Sequence, residues 1–212
     1  MPGFQLCCRM KFLLGKKITM TQVFSEEKAI PVTLVEVEPC EILQIKTMEK
    51  DGYCSVQLGL EKITKTKKIK KTQKGKEFRY LREFLVKRED LENYKPGDKL
   101  QASIFNEGDK IIVAGISKGK GYQGAVKIWG FHGRLSATHG QKHELRTLGS
   151  VGSSGPGRVR KGRKMSGRLG AGRVTVKNLK IVKIDKEDNI LAIKGAIPGR
   201  RGTLLEIRKL ET

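Results

Sequence analysis

The stretch Pro31-Val32-Thr33-Leu34-Val35-Glu36-Val37-Glu38 ends by alternating apolar and charged side chains, Val35 and Val37 against Glu36 and Glu38. A period of two puts the valines on one face of a strand and the glutamates on the other. The same pattern recurs on both sides of it. Phe12–Lys16 precedes it, and Glu41–Lys46, Ser55–Leu60, Arg79–Val86, Leu100–Phe105 and Lys110–Ile116 follow. Val56, Leu58 and Leu60 share one face of their segment. Further on, Val174–Ile184, Ile190–Lys194 and Thr203–Lys209 resume the series. Turn signals separate the segments: Asp51-Gly52, Lys95-Pro96-Gly97-Asp98, Asn106-Glu107-Gly108-Asp109, Asp188-Asn189 and Pro198-Gly199. Many short strands with no strong helix between them predict a mainly β fold. The expected form is a closed antiparallel barrel, because closure removes exposed sheet edges.

Between Gly115 and Arg173 the composition changes. These 59 residues hold thirteen Lys and Arg, one acid (Glu144), fifteen Gly and all three His. They carry twelve of the net +22 charges with almost no material for a core. A second run, Glu61–Arg79, has nine bases against two acids. The other 134 residues hold 22 bases and 19 acids, a net of only +3. The charge therefore sits in two insertions on an otherwise near-neutral domain, an arrangement that calls for a polyanionic partner. The domain plan is a barrel over residues 10–116 and 174–212, with a basic insertion at 61–79 and a Gly/Arg/Lys-rich arm at 117–173. Met1–Arg9 is a leader of doubtful status ahead of a second methionine, Met10.

Within the arm only Gly121–Gly130 has the makings of a short helix, with Ala125, Val126, Ile128 and Trp129 as its apolar residues. Phe131–Gly172 shows no sustained period of two or 3.6, so it cannot bury enough apolar surface to offset the entropy of ordering it. Such a loop is expected to order on nucleic acid.

The chain has no apolar run of membrane-spanning length and no signal-peptide pattern at its start. Cys7, Cys8, Cys40 and Cys54 show no CxxC spacing, which argues against a zinc site or structural disulfides and fits a reducing compartment. Gly119-Lys120-Gly121-Tyr122-Gln123-Gly124 matches GxGxxG, but no second strand follows to build a βαβ unit. The stretch is better suited to bringing amides and lysines close to phosphates. His139 and His143, four apart, could share a helix face with His132 nearby. Only Glu144 could support a metal there, so the histidines are read as polar and stacking groups instead. The apolar neighbours of Trp129 favour packing, while its basic surroundings allow stacking on a base. Arg158, Arg160, Lys161, Arg163 and Lys164, followed by Arg168 and Arg173 and interleaved with glycine, form the densest cationic cluster. Arginine forks there suit phosphate. The lysine run Lys65–Lys76 reads equally as a second RNA contact or a mobile solubilising loop. No GxSxG elbow and no acid pair beside a histidine is present, so no enzyme is expected.

From Met10 onward the chain resembles the bacterial-type large-subunit ribosomal protein L-three family. The resemblance rests on an ordered set of stretches. Leu14-Gly15-Lys16-Lys17-Ile18-Thr19-Met20-Thr21-Gln22-Val23-Phe24 comes first, then Ile30-Pro31-Val32-Thr33 and Ser117-Lys118-Gly119-Lys120-Gly121-Tyr122-Gln123-Gly124 with Trp129. Ala137-Thr138-His139-Gly140, Gly149-Ser150-Val151-Gly152 and Lys161-Gly162-Arg163-Lys164-Met165-Ser166-Gly167 follow in order. Arg173-Val174-Thr175-Val176 and Ile193-Lys194-Gly195-Ala196-Ile197-Pro198-Gly199 complete it. Thr19 stands where the family usually has glycine.

The resemblance implies a translation-protein-type β-barrel with a long irregular loop threading into ribosomal RNA. Such proteins bind large-subunit ribosomal RNA near its 3′ end early in assembly, and the loop runs toward the peptidyl transferase centre. It implies neighbouring large-subunit proteins as partners, a cytoplasmic ribosomal location, and no cofactor, metal, membrane or small-molecule substrate. The RNA-contacting residues expected on this reading begin with Lys118, Lys120, Lys127 and Trp129. His132, Arg134, His139, Lys142, His143 and Arg146 come next, with Ser153 and Ser154 at a tip spanning Gly149–Gly157. The Arg158–Arg173 cluster grips on the return path. Serines at the tip, where some members carry a methylated glutamine, imply that this modification is missing.

Overall fold

The computed structural model of the protein describes residues 11–25, 28–63, 69 and 75–210. The Met1–Arg9 leader and the lysines between residues 65 and 74 lie outside the described residues. The described strands are β1 (Phe12–Ser25), β2 (Lys28–Glu36), β3 (Cys40–Lys46), β4 (Ser55–Lys62), β5 (Phe78–Leu85) and β6 (Lys99–Leu100). They continue with β7 (Lys110–Ile116), β8 (Tyr122–Gln123), β9 (Gly167–Arg168), β10 (Arg173–Asp185), β11 (Ile190–Lys194) and β12 (Leu204–Lys209). The chain divides into two compact units, Met1–Ile116 with Arg173–Thr212, and Ser117–Gly172.

In the first unit six strands close into a barrel in the order β1-β12-β7-β10-β11-β2, every neighbouring pair antiparallel. The register puts buried residues opposite one another: Leu13 faces Ile207, Ile207 faces Val113, Leu191 faces Val35 and Ile181 faces Ile193. Directly opposed residues point to the same side of a sheet, so these pairs define the interior.

The other strands depart from the single barrel that alternation predicts. The Glu41–Lys46, Ser55–Leu60 and Arg79–Val86 segments form β3, β4 and β5 of a separate four-stranded sheet, ordered β5-β4-β3-β6. Alternation identifies a strand but not its partner. The consecutive apolar residues Phe12-Leu13-Leu14 show how the two sheets meet. Leu13 points into the barrel, while Phe12 stacks on Phe84 of β5 with ring centroids 4.7 Å apart and lies 5.4 Å from the Tyr94 ring. A strand buried on both faces loses its alternation and reads as a continuous apolar run.

Leu100–Phe105 is not one strand. Only Lys99–Leu100 pairs, and Ala102–Ile104 makes a 3-10 turn with Ile104 N–H donating to Gln101 O at 3.2 Å. Leu100, Ala102 and Phe105 are buried at spacings of two and then three, which a turn satisfies and a strand does not. Conversely, β1 runs to Ser25, well past Lys16, because it pairs with β2 along its length from Lys16↔Glu36 to Ser25↔Lys28. The outer part of this hairpin leaves Met20 and Phe24 exposed. A bulge lies between Lys17 and Thr19, and the Thr19 hydroxyl accepts a hydrogen bond from Arg201 at 3.0 Å. Lys17 itself is buried, its ammonium donating to Ile197 O at 2.9 Å and Gly199 O at 3.1 Å. Those carbonyls compensate its removal from water and hold the loop between β11 and β12.

The turn Asn106–Asp109 delivers the chain into β7. Gly108 takes φ +87 and donates its N–H to Ile181 O at 2.9 Å. Asp109 Oδ2 accepts the Asn106 N–H at 3.1 Å, and its Oδ1 accepts Lys209 Nζ at 2.7 Å, tying the turn to β12. Partial burial raises the Asp109 carboxyl, but the bonds from Lys209 and Asn106 outweigh it and hold the group below its ordinary value. A depressed folded pKa stabilises the fold above the ordinary carboxylate pKa near ~4, and that stability is lost as pH falls through the folded value. Asp109→Asn is therefore expected to lower unfolding free energy by about 1 kcal/mol at neutral pH. In urea melts across pH, the gap between variant and parent should close on acidification and not on alkalinisation.

Candidate nucleic-acid interface

The arm leaves the barrel at a paired position, Ile116 of β7 opposite Arg173 of β10. Within the arm, Ser117 N–H donates to Gly172 O, Lys120 N–H to Leu169 O and Leu169 N–H to Gly121 O, each at 2.9 Å. Two further pairs, Tyr122↔Arg168 and Gln123↔Gly167, make the two-residue sheet of β8 and β9. The GxGxxG stretch is thus the outgoing side of an antiparallel stem, which is incompatible with a βαβ nucleotide site. The short helix α1 (Met48–Asp51) belongs to the first unit, and α2 (Ala125–Trp129) follows the stem within the arm.

The remainder is held by sparse polar links. Trp129 Nε1 donates to Met165 O at 2.7 Å, and Lys164 Nζ lies 5.4 Å from the Trp129 ring centroid. The Tyr122 hydroxyl lies 2.5 Å from Ser166 Oγ, and Arg163 donates to Ser150 O at 2.6 Å. Residues 138–147 form successive turns, with Gln141 N–H on Thr138 O, Glu144 N–H on Gln141 O and Thr147 N–H on Glu144 O. His139 takes φ +53 within them, so His139 and His143 do not share a helix face. Among the described residues no group of three or more His, Cys, Asp and Glu is arranged to hold a metal ion.

Ala125 is the only buried residue from Ser117 to Gly172, all of which are described. Burial cannot hold this unit together, and glycines let its backbones meet instead. A Cβ on Gly170, which has φ +77, would lie 2.1 Å from Lys118 O, and one on Gly133, with φ +69, would lie 1.9 Å from Leu145 O. Both are close crossings of backbone on backbone that only glycine fits.

Electrostatics oppose the arrangement. Ser117–Gly172 carries twelve Lys and Arg against Glu144, and that carboxylate is taken by Arg134 at 3.1 Å. Among the described residues the other arm cations have no carboxylate partner. The unit is a glycine-rich, uncompensated array of donors suited to phosphate.

All nineteen expected contact residues, from Lys118 to Arg173, are exposed. They do not all share one environment. Arg173, the first residue of β10, has its guanidinium 2.5 Å from Glu206 Oε2, while Arg82 Nε sits 3.1 Å from Glu206 Oε1. It is a clamped barrel residue, unlike Arg158, Arg160 and Lys161. Trp129, 47% exposed, is hooked by its indole N–H yet leaves ring surface open, so packing and stacking are compatible there. Sequence reasoning passed over Tyr122, which is 75% exposed and directly opposite Arg168. The available signal was a lone aromatic between glycines in a lysine-rich stretch.

The chain matches the family Ribosomal protein L3 over residues 65–190. It is 48% identical over 204 residues to the large ribosomal subunit protein uL3 of Carboxydothermus hydrogenoformans, covering 94% of this chain and 97% of that one. The chain belongs to the ribosomal protein L3 family. Two more uL3 proteins of the same name are similar. That of Thermosipho melanesiensis is 45% identical over 94% of this chain and 98% of its own. That of Petrotoga mobilis is 46% identical over 94% and 95%.

The L3 arm should therefore be sensitive at its crossings. Gly170→Ala is expected to speed amide exchange at Lys120 and Leu169 by more than tenfold while protection in β7, β10 and β12 stays unchanged. Unaltered exchange at both stem amides would show that the crossing at Lys118 does not constrain the stem.

Proposed function

We propose that this protein is a structural constituent of the large ribosomal subunit that holds ribosomal RNA with its Ser117–Gly172 arm. The observation that carries this reading is the arm's composition on an L3-family chain: twelve bases, one acid and one buried residue, beside a unit with an ordinary core. Ribosomal RNA supplies what the arm lacks. Each cation that meets a phosphate releases condensed counterions, and glycines such as Gly155, Gly157 and Gly162 allow close backbone approach. Arg158, Arg160 and Arg163 offer planar forks for phosphate, while Tyr122 and Trp129 offer ring faces for bases. The barrel is the anchor, with neighbouring large-subunit proteins as its other partners, and its setting is the cytoplasmic ribosome. In this reading no chemical step belongs to the chain itself.

Sedimentation of a lysate through sucrose in roughly 0.5 M monovalent salt, which strips loose electrostatic binders, tests the assignment. Stoichiometric comigration with the large subunit is expected. Recovery at the top of the gradient would mean a transient RNA chaperone and would overturn it. The arm's share is measured separately. Replacing Arg158, Arg160, Lys161, Arg163 and Lys164 together by Gln should flatten the dependence of log affinity on log salt by roughly 0.7–0.9 for each phosphate no longer neutralised. The thermal midpoint of the barrel should not move.

A further inference from the structure

Beyond the two basic runs the chain carries 22 bases and 19 acids, and this near-neutral average conceals a one-sided distribution. Lys177, Lys180 and Lys183 recur every third residue along β10. On a regular strand that spacing would send Lys180 to the opposite face from its neighbours. Two bulges correct it. Val176 pairs with Val113 and Leu179 with Ile111, so Lys177 and Asn178 together oppose one residue of β7. Ile181 pairs with Ile193 and Lys183 with Ala192, which places a second extra residue, Val182, opposite β11. Asn178 takes φ +59 at the first bulge. Each bulge resets the alternation, keeping Val176, Leu179, Ile181 and Ile184 inward and all three lysines exposed outside.

A fourth lysine joins them at a cost. Lys110 of β7 is the direct cross-strand partner of Lys180, and both are exposed. Like charges directly opposite are destabilising. The nearby carboxylates are engaged elsewhere. Asp109 binds Lys209 at 2.7 Å, Glu107 accepts Ile184 N–H at 3.1 Å, and Asp185 accepts the N–H groups of Glu187 and Asp188 at 3.2 and 3.4 Å. Among the described residues none of the four lysines has a carboxylate in ion-pair range.

We infer that Lys110, Lys177, Lys180 and Lys183 make the outer barrel face at β7 and β10 a second contact for RNA phosphates. This rests on the reading of the chain as a ribosomal-RNA binder and adds a site outside the arm. The phosphate backbone fits better than a base-reading partner, because the four groups on this face are lysine ammoniums, point charges rather than planar forks.

The test uses the full chain and purified large-subunit ribosomal RNA, with affinity measured between about 0.1 and 0.5 M KCl. Three variants are compared with the parent: the four lysines changed together to Gln, the same four changed to Arg, and the Arg158–Lys164 Gln set. The Gln face variant is expected to lower the salt slope by about 3 if all four meet phosphate. The Arg face variant should keep the parent slope, and relief of the Lys110–Lys180 repulsion should leave the Gln variant's thermal midpoint equal or higher. A parent slope in the Gln face variant, with a reduced one in the arm variant, would overturn this inference and leave the arm reading standing. Loss of the Gln face variant from the subunit without any change in slope would also overturn it, in favour of an acidic protein neighbour. Failure of the parent to bind the RNA would remove both readings together.

Discussion

The antiparallel pairing of β7 with β10 is the constraint on which the rest of the molecule depends. It brings Ile116 and Arg173 opposite each other, so the two ends of a 56-residue excursion are held at neighbouring positions by a ladder that belongs to the barrel. Closing a loop of that length has an entropic cost, and the barrel core offsets it independently of anything the arm does. The arm is therefore free to lack a core. Freed from burial, its sequence can consist of glycine and cations, which no self-supporting domain of that size could tolerate.

Glu206 shows how the same strands are braced. It stands on β12 beside the Gly115 end of β7 and receives both Arg173 from β10 and Arg82 from β5. One carboxylate thus links the barrel to the second sheet at the strand ends from which the arm departs. Arg173 lies at the edge of the cationic cluster in sequence but serves the barrel in space. At this strand end the cations Arg173 and Arg82 share a carboxylate, whereas among the described arm residues only Arg134 has one.

Much of the barrel was legible in the chain because alternation reports burial directly. Lys110–Ile116 and Ile190–Lys194 have the same limits in sequence and structure, each with one face in the core. Where burial and strand diverge, legibility fails. The outer half of the β1–β2 hairpin pairs fully but exposes Met20 and Phe24, so no core face marks it. The run Phe12-Leu13-Leu14 signals burial on both faces but not what covers the second one, which for Phe12 is Phe84 of the other sheet. The second bulge of β10 was hidden because Val182 is an ordinary strand residue; at the first, Asn178 with φ +59 is of a type that tolerates the left-handed region and was the available signal. For the arm, charge and glycine content are compositional, so its exposure and lack of a core were legible without a fold. The crossings of Gly133 on Leu145 and Gly170 on Lys118, and the hook from Trp129 to Met165, join residues distant in sequence. Each depends on a single backbone approach without a repeating signal.

The ring closes through β1 and β12, the first and last of the described strands in chain order. A barrel of this connectivity cannot be completed progressively as the polypeptide emerges. Phe12–Lys16 must wait with one edge unpaired until Leu204–Arg208 has been synthesised, and the whole cationic arm is exposed in the interval. A nascent chain stalled anywhere before β12 presents an open sheet edge and an uncompensated arm together, the combination most prone to capture by the wrong polyanion or by another unfinished chain.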